Sequence, residues 1–220
     1  MSDSTAPGVT TRKLTRPQAV WITLIASMTV ASAALSFATG PSRAQGDSLP
    51  GAFELAPTQA SGIRAIIDAV QIEPGRWDGI VIHHSGAMQG SGASIGRQHE
   101  AQGIRGLGYH MVIGNGHGAP DGEAFVGYRW QQQLPGAHLA GTMPQDEKNR
   151  KIGICLVGDG DTKPFTDDQM STLAALVREL QSALDIPDQA VTLHRDLADS
   201  TTSPGRLFPT ARFRRTLAAQ

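Results

Sequence analysis

Cysteine is almost missing from this chain. Cys155 is the only one among 220 residues. No intramolecular disulfide can staple the fold, and a Cys-rich structural zinc site is excluded. Charge of one sign is also lacking. The 19 Lys+Arg against 20 Asp+Glu give a formal net charge of -1, which argues against a nucleic-acid partner, since such proteins normally carry a basic excess. Aromatic residues are scarce, and no internal repeat is visible. Glycine (25) and proline (13) are plentiful, so the folded part should be rich in turns.

The one long apolar run lies near the N-terminus. From Ala19 to Ala38 the chain reads AVWITLIASMTVASAALSFA, without a charge. At ~1.5 Å per residue, a helix of this length just crosses the ~30 Å core of a bilayer. Arg12, Lys13 and Arg16 precede it, and only Arg43 follows closely. The positive-inside rule then puts the preceding tail in the cytoplasm and the rest outside, anchored in the membrane or exported to the cell envelope. A cleaved signal peptide is the competing reading. The length of the run and of its preceding tail favours a retained anchor. The expected organisation is a cytoplasmic tail (1–17), an anchor or signal segment (18–39), a linker (40–57) and a folded domain (58–220).

Within that domain, DGIVIHHSG reads as a buried strand from Gly79 to His84. GASIGRQHEAQG reads as a short helix ending at glycine. GLGYHMVIGNG, GEAFVGYRW, KIGICLVGD and AVTLH read as four further strands, with KIGICLVGD apolar enough for the centre of a sheet. Thr166 and Gln169 form a capping box. Met170, Leu173, Leu176, Val177, Leu180 and Leu184 then fall on one helical face. FPTARFRRTLAA reads as a terminal helix. Strands interleaved with helices predict an α/β fold, a central mixed β-sheet flanked by helices and preceded by the N-terminal apolar helix.

Most of the seven histidines fall at strand ends or turns, where ligand sites of α/β sheets collect. His83 and His84 must point to opposite faces, as must Tyr109 and His110. A site drawing one residue from each pair, with His194 and a residue from Ser200 to Ser203, is geometrically reasonable. Imidazole is the commonest zinc ligand.

The ordered segments WDGIVIHHS, GLGYHMVIGNG, VGYRW with PGAH, IGICLVGD and HRDL with TTSPG span Arg76 to Phe208. Together they resemble the type 2 N-acetylmuramoyl-L-alanine amidases, the family that includes peptidoglycan recognition proteins and phage lysozyme-type amidases. The resemblance implies a groove over one face of the sheet and peptidoglycan as partner. It implies zinc as cofactor, with His83, His194 and the residue before Pro204 as metal ligands. Tyr109 matches a catalytic tyrosine, and Thr201 matches a position that stabilises the reaction intermediate. His84, His110 and His138 fall to substrate binding, with a structural role for His138 equally open. The reaction implied is hydrolysis of the amide between N-acetylmuramic acid and L-alanine.

One position departs from the pattern. Catalytic members carry Cys or Asp before the Pro-Gly, and here Ser203 stands there. A neutral hydroxyl binds zinc far more weakly than thiolate or carboxylate. The alternative reading is therefore a non-catalytic peptidoglycan-binding module. Cys155 could supply a sulfur ligand if it faced the groove, but a small buried core residue is the better expectation.

Overall fold

The computed structural model describes residues 57–141 and 143–219. The apolar run and the preceding tail lie outside them. Among the described residues no helix is long and apolar enough to cross a membrane.

Five strands form one sheet: β1 (Gly79–His84), β2 (Met111–Ile113), β3 (Ala124–Val126), β4 (Lys151–Leu156) and β5 (Val191–Leu193). Their order is β3-β2-β4-β1-β5. β1 lies parallel to β4 and β5, and β4 parallel to β2, while β3 turns back antiparallel on β2. Parallel neighbours need crossover connections, and each of them here includes at least one helix. The sheet is mixed and flanked by helices, as the strand and helix patterns predict.

The helices are α1 (Pro57–Asp68), α2 (Gly92–Ala101), α3 (Tyr128–Gln131), α4 (Gln145–Lys148), α5 (Asp167–Leu184) and α6 (Thr210–Ala218). α5 begins at the expected capping box: the Thr166 hydroxyl accepts from the Gln169 N–H, and the Gln169 side chain accepts from the Thr166 N–H. Its buried stripe, Met170, Leu173, Leu176, Val177 and Leu180, packs on Ile80, Ile82, Met111, Ile113, Ile152 and Ile154 from one face of the sheet. Each of these side chains stabilises the fold by roughly 1.5–3 kcal/mol on burial. The opposite face carries a smaller cluster of Ile95, Leu107, Val112, Cys155 and Val157. α2 roofs part of that face through Ile95, and the rest is left for polar side chains.

One element differs from expectation. GEAFVGYRW is strand only as far as Val126, and Tyr128–Gln131 winds into a helical turn. The turn swings Trp130 fully into the core, where its indole N–H donates to the Ile66 carbonyl. Burial of the largest side chain outweighs continued strand pairing at the sheet edge.

Candidate functional site

The parallel register builds the site. His83 pairs with Cys155 across β1 and β4, and Cys155 pairs with Val112 across β4 and β2. On the other side Ile82 pairs with Leu193, so His194, the next residue, continues the row beside His83. Their ring centroids lie 4.4 Å apart. Residues paired across adjacent strands project to the same face. One transverse row at the C-terminal ends of the parallel strands thus brings together residues 111 positions apart in the chain, at the edge where α/β sheets bind ligands.

His138 joins from the loop before β4. Its Nδ1 lies 2.9 Å from Nε2 of His83. Its Nε2 lies 3.2 Å from the Lys151 carbonyl oxygen. A carbonyl only accepts, so the His138 Nε2 carries the proton and its Nδ1 accepts from His83. The neutral His83 therefore keeps its lone pair on Nδ1. Burial is the largest cause that holds His83 well below the usual histidine pKa, and the neighbouring imidazoles of His138 and His194 add to it. Burial likewise lowers His138 to about 4, against the opposing pull of the Lys151 carbonyl. His194 is lowered mainly by burial and then by His84. At neutral pH all three rings are uncharged.

Space for His138 comes from two glycines. A Cβ on Gly153 would stand 2.5 Å from His138 Cδ2, and one on Gly136 would stand 2.2 Å from the same atom. Gly153→Ala is expected to cost about 1–3 kcal/mol by overpacking and to displace the ring. Urea unfolding and the imidazole NMR resonances of His138 check this; an unshifted ring in an equally stable protein would refute it.

Tyr109 packs 5.1 Å from His83, ring to ring. Burial, and after it the adjacent Cys155 thiol, pushes its hydroxyl well above the usual tyrosine pKa, so it remains a proton donor. His99 of α2 stands 5.3 Å from the Tyr109 ring, and its Nδ1 accepts from the Gly108 N–H. His99 was not among the expected site residues. It sits on a helix whose position over Tyr109 is set by tertiary packing, so no local pattern marks it.

His110 is turned away from the open side. It is fully buried, its Nδ1 accepts from the Gly153 N–H, and its Nε2 donates to the Leu134 carbonyl. Both ring nitrogens are committed to backbone, which leaves neither for substrate. His84 points to the opposite face from His83, and its Nδ1 accepts from the Gly160 N–H. Cys155 is fully buried among apolar side chains, and burial raises its thiol pKa far above neutral. A protonated thiol is a poor zinc ligand.

Ser203 is 4% exposed. Its hydroxyl oxygen accepts from the His84 N–H at 3.0 Å, and its carbonyl accepts from the Arg195 N–H at 2.7 Å. The Thr201 hydroxyl accepts from the Ser203 N–H at 3.1 Å. The turn before Pro204 is thus moored to the ends of β1 and β5, next to His83 and His194. Among the described residues, the donor atoms of His84, Asp159 and Asp161 also lie within 4.8 Å of one another. These atoms are already hydrogen-bonded to the surrounding loops.

The fold and the histidine cluster define an α/β domain with an imidazole-lined site at one sheet edge. The profile of the N-acetylmuramoyl-L-alanine amidase family matches residues 73–206, and the chain belongs to that family. Among solved structures it is similar to the N-acetylmuramoyl-L-alanine amidase LysC of Clostridium intestinale, at 26% identity and TM-score 0.55, covering 66% of this chain and 89% of that one. The endolysin amidase LysCS of the same organism is 25% identical with TM-score 0.55, covering 80% and 100%. Bumblebee PGRP-SA shares the fold at 20% identity and TM-score 0.51, covering 64% and 83%. No curated protein sequence matches the chain.

Proposed function

We propose that this chain is a zinc-dependent amidase that cleaves the bond between N-acetylmuramic acid and L-alanine in peptidoglycan. The observation that carries the reading is the row that sets His83 beside His194, with Tyr109 packed against it. Two neutral imidazoles on one face suit zinc in kind. The third position offers the Ser203 hydroxyl, so the donor set fits a weakly held ion. His83, His194 and Ser203 would hold it. Zinc there would lower the pKa of water towards neutrality and polarise an amide carbonyl.

The protein's own groups do the rest. His138 fixes the tautomer of His83 through the 2.9 Å contact, as outer-shell partners of metal-binding histidines commonly do. Tyr109 stays protonated at physiological pH and can donate to the oxyanion that forms on the amide carbonyl. Thr201 has a hydroxyl at the same turn for a second such contact. His138 acts through His83, since both of its ring nitrogens are engaged, and the His84 ring lies on the opposite face. A peptidoglycan substrate agrees with a cell-envelope location, and the apolar run at residues 19–38 is the feature that supports anchoring there.

Ser203 favours a second reading, a module that binds peptidoglycan without cutting it. Incubating the zinc-loaded chain with purified sacculi separates the two. Stem peptides seen by mass spectrometry, and lost on chelation, support the enzyme. Saturable binding with no released peptide supports the module.

A further inference from the structure

The loop after β4 is joined to the Ser203 turn and the residues just after it by side-chain and backbone hydrogen bonds. Asp161 Oδ1 accepts from the Arg206 N–H at 2.8 Å, and its Oδ2 accepts from the Thr202 hydroxyl. The neighbouring Gly160 carbonyl accepts from the Leu207 N–H at 2.8 Å, while the Gly160 N–H donates to His84 Nδ1 at 3.0 Å. The two segments approach so closely that neither Gly160 nor Gly205 can carry a side chain. A Cβ on Gly160 would stand 2.0 Å from the Pro204 carbonyl oxygen, and one on Gly205 would stand 2.2 Å from the Gly160 carbonyl carbon. Gly205 also has a φ of +97°, a conformation that favours glycine. The loop itself is stiffened where the Asp161 N–H donates to Asp159 Oδ1.

We propose that Asp161 is a positioning residue, whose carboxylate holds the Thr201–Gly205 turn so that the Ser203 hydroxyl stays against the end of β1 beside His83 and His194. Its relevance to metal rests on the zinc reading above; its hold on the turn does not. The carboxylate bonds to Thr202 and Arg206, which flank Ser203 on both sides. Ser203 itself is moored at two other points, the His84 N–H and the Arg195 N–H. Both amides donate to Ser203 and not to Asp161; the His84 ring lies near the carboxylate, so the Arg195 amide is the decisive readout. If the clamp is what keeps the turn in place, loosening it at Asp161 must be felt at His84 and Arg195. If Asp161 only decorates the surface, those two amides will not respond. Within the cluster of His84, Asp159 and Asp161, the Asp161 carboxylate is the group that joins the loop to the turn, while Asp159 Oδ1 and His84 Nδ1 accept from N–H groups of that same loop.

The test compares the wild-type chain with Asp161→Ala, Asp161→Asn and Thr202→Val. The first readout is hydrogen exchange of the His84 and Arg195 amides in chelator. Asp161→Ala is expected to speed both by about tenfold or more, in line with loss of charge-assisted bonds, and to leave the Ile154 amide of β4 unchanged. Asp161→Asn keeps an acceptor oxygen and should restore part of the protection. Thr202→Val should act in the same direction and add little on top of Asp161→Ala, because the two share one bond. The second readout is zinc affinity by chelator competition, expected to fall roughly 10–100-fold in Asp161→Ala. Unchanged exchange at the Arg195 amide overturns the proposal whatever zinc does. A wild-type chain that takes up no zinc sinks the metal reading and leaves the exchange result to decide this one.

Discussion

Replacing Ser203 by cysteine is expected to tighten zinc binding by roughly a hundredfold or more, since a thiolate is an anionic, soft ligand and a serine hydroxyl is neither. The position is prepared for the change. It is buried, it is moored by the His84 N–H, and it sits on the turn next to His83 and His194. The thiol would ionise only when metal is present, so proton release on zinc addition should rise in the variant. Cobalt gives the cleaner signature, a sulfur-to-metal charge-transfer band that the wild type cannot show. An affinity equal to that of wild type, with no such band, would place residue 203 outside the metal site. The effect on cleavage divides the two functional readings. An amidase that already works through Ser203 should change in rate only moderately, whereas a pure binding module would gain stem-peptide release from this single substitution.

Acid should destabilise the metal-free protein well before its carboxylates protonate. Burial lowers the His138 pKa from the usual 6.5 to about 4, and it lowers His83 and His110 in the same direction. Below pH 6.5 the unfolded chain takes up protons that the folded chain refuses, so stability falls with pH across the window from about 6.5 to about 4. At ~1.4 kcal/mol per pKa unit, His138 alone accounts for a loss on the order of 3 kcal/mol. Urea midpoints measured in chelator between those limits should decline steadily, and His138→Gln should flatten the slope by about one proton. A flat profile in the wild type would mean that these rings are not buried and neutral. Above pH 6.5 the effect is absent, because both states are then uncharged at these positions.

Much of this fold is readable in the sequence because its determinants are local. The α5 capping box and apolar stripe, and the run from Gly79 to His84, depend on residue spacing alone. Strand alternation sets His83 and His84 on opposite faces, and the family resemblance names His83 as the one in the site. Other features depend on contacts between distant segments. No local pattern shows that Tyr128–Gln131 winds up to bury Trp130 instead of extending β3. His110 and His138 look alike as histidines near strands. Both rings donate Nε2–H to a backbone carbonyl, and the difference lies at Nδ1, which accepts from the Gly153 N–H in His110 and from His83 in His138. The role of Gly153 was hidden for the same reason. A glycine inside a strand signals that something comes close, but only the folded chain shows that the visitor is an imidazole. At residue 203 the sequence exposes the chemical oddity, and the structure adds how firmly that serine is held.

The strand order has a kinetic consequence. His83 and His194 become neighbours only when β5 docks on β1, closing a loop of more than a hundred residues, and the Ser203 turn arrives with β5. Contacts so distant along the chain form late in folding, since loop closure must come first. A metal ion therefore has nothing to grip in the early, collapsed chain and cannot act as a template for it. Zinc would bind a finished sheet, slowing its unfolding and hardly changing its rate of folding. Denaturant jumps with and without the ion should show that asymmetry in the unfolding limb.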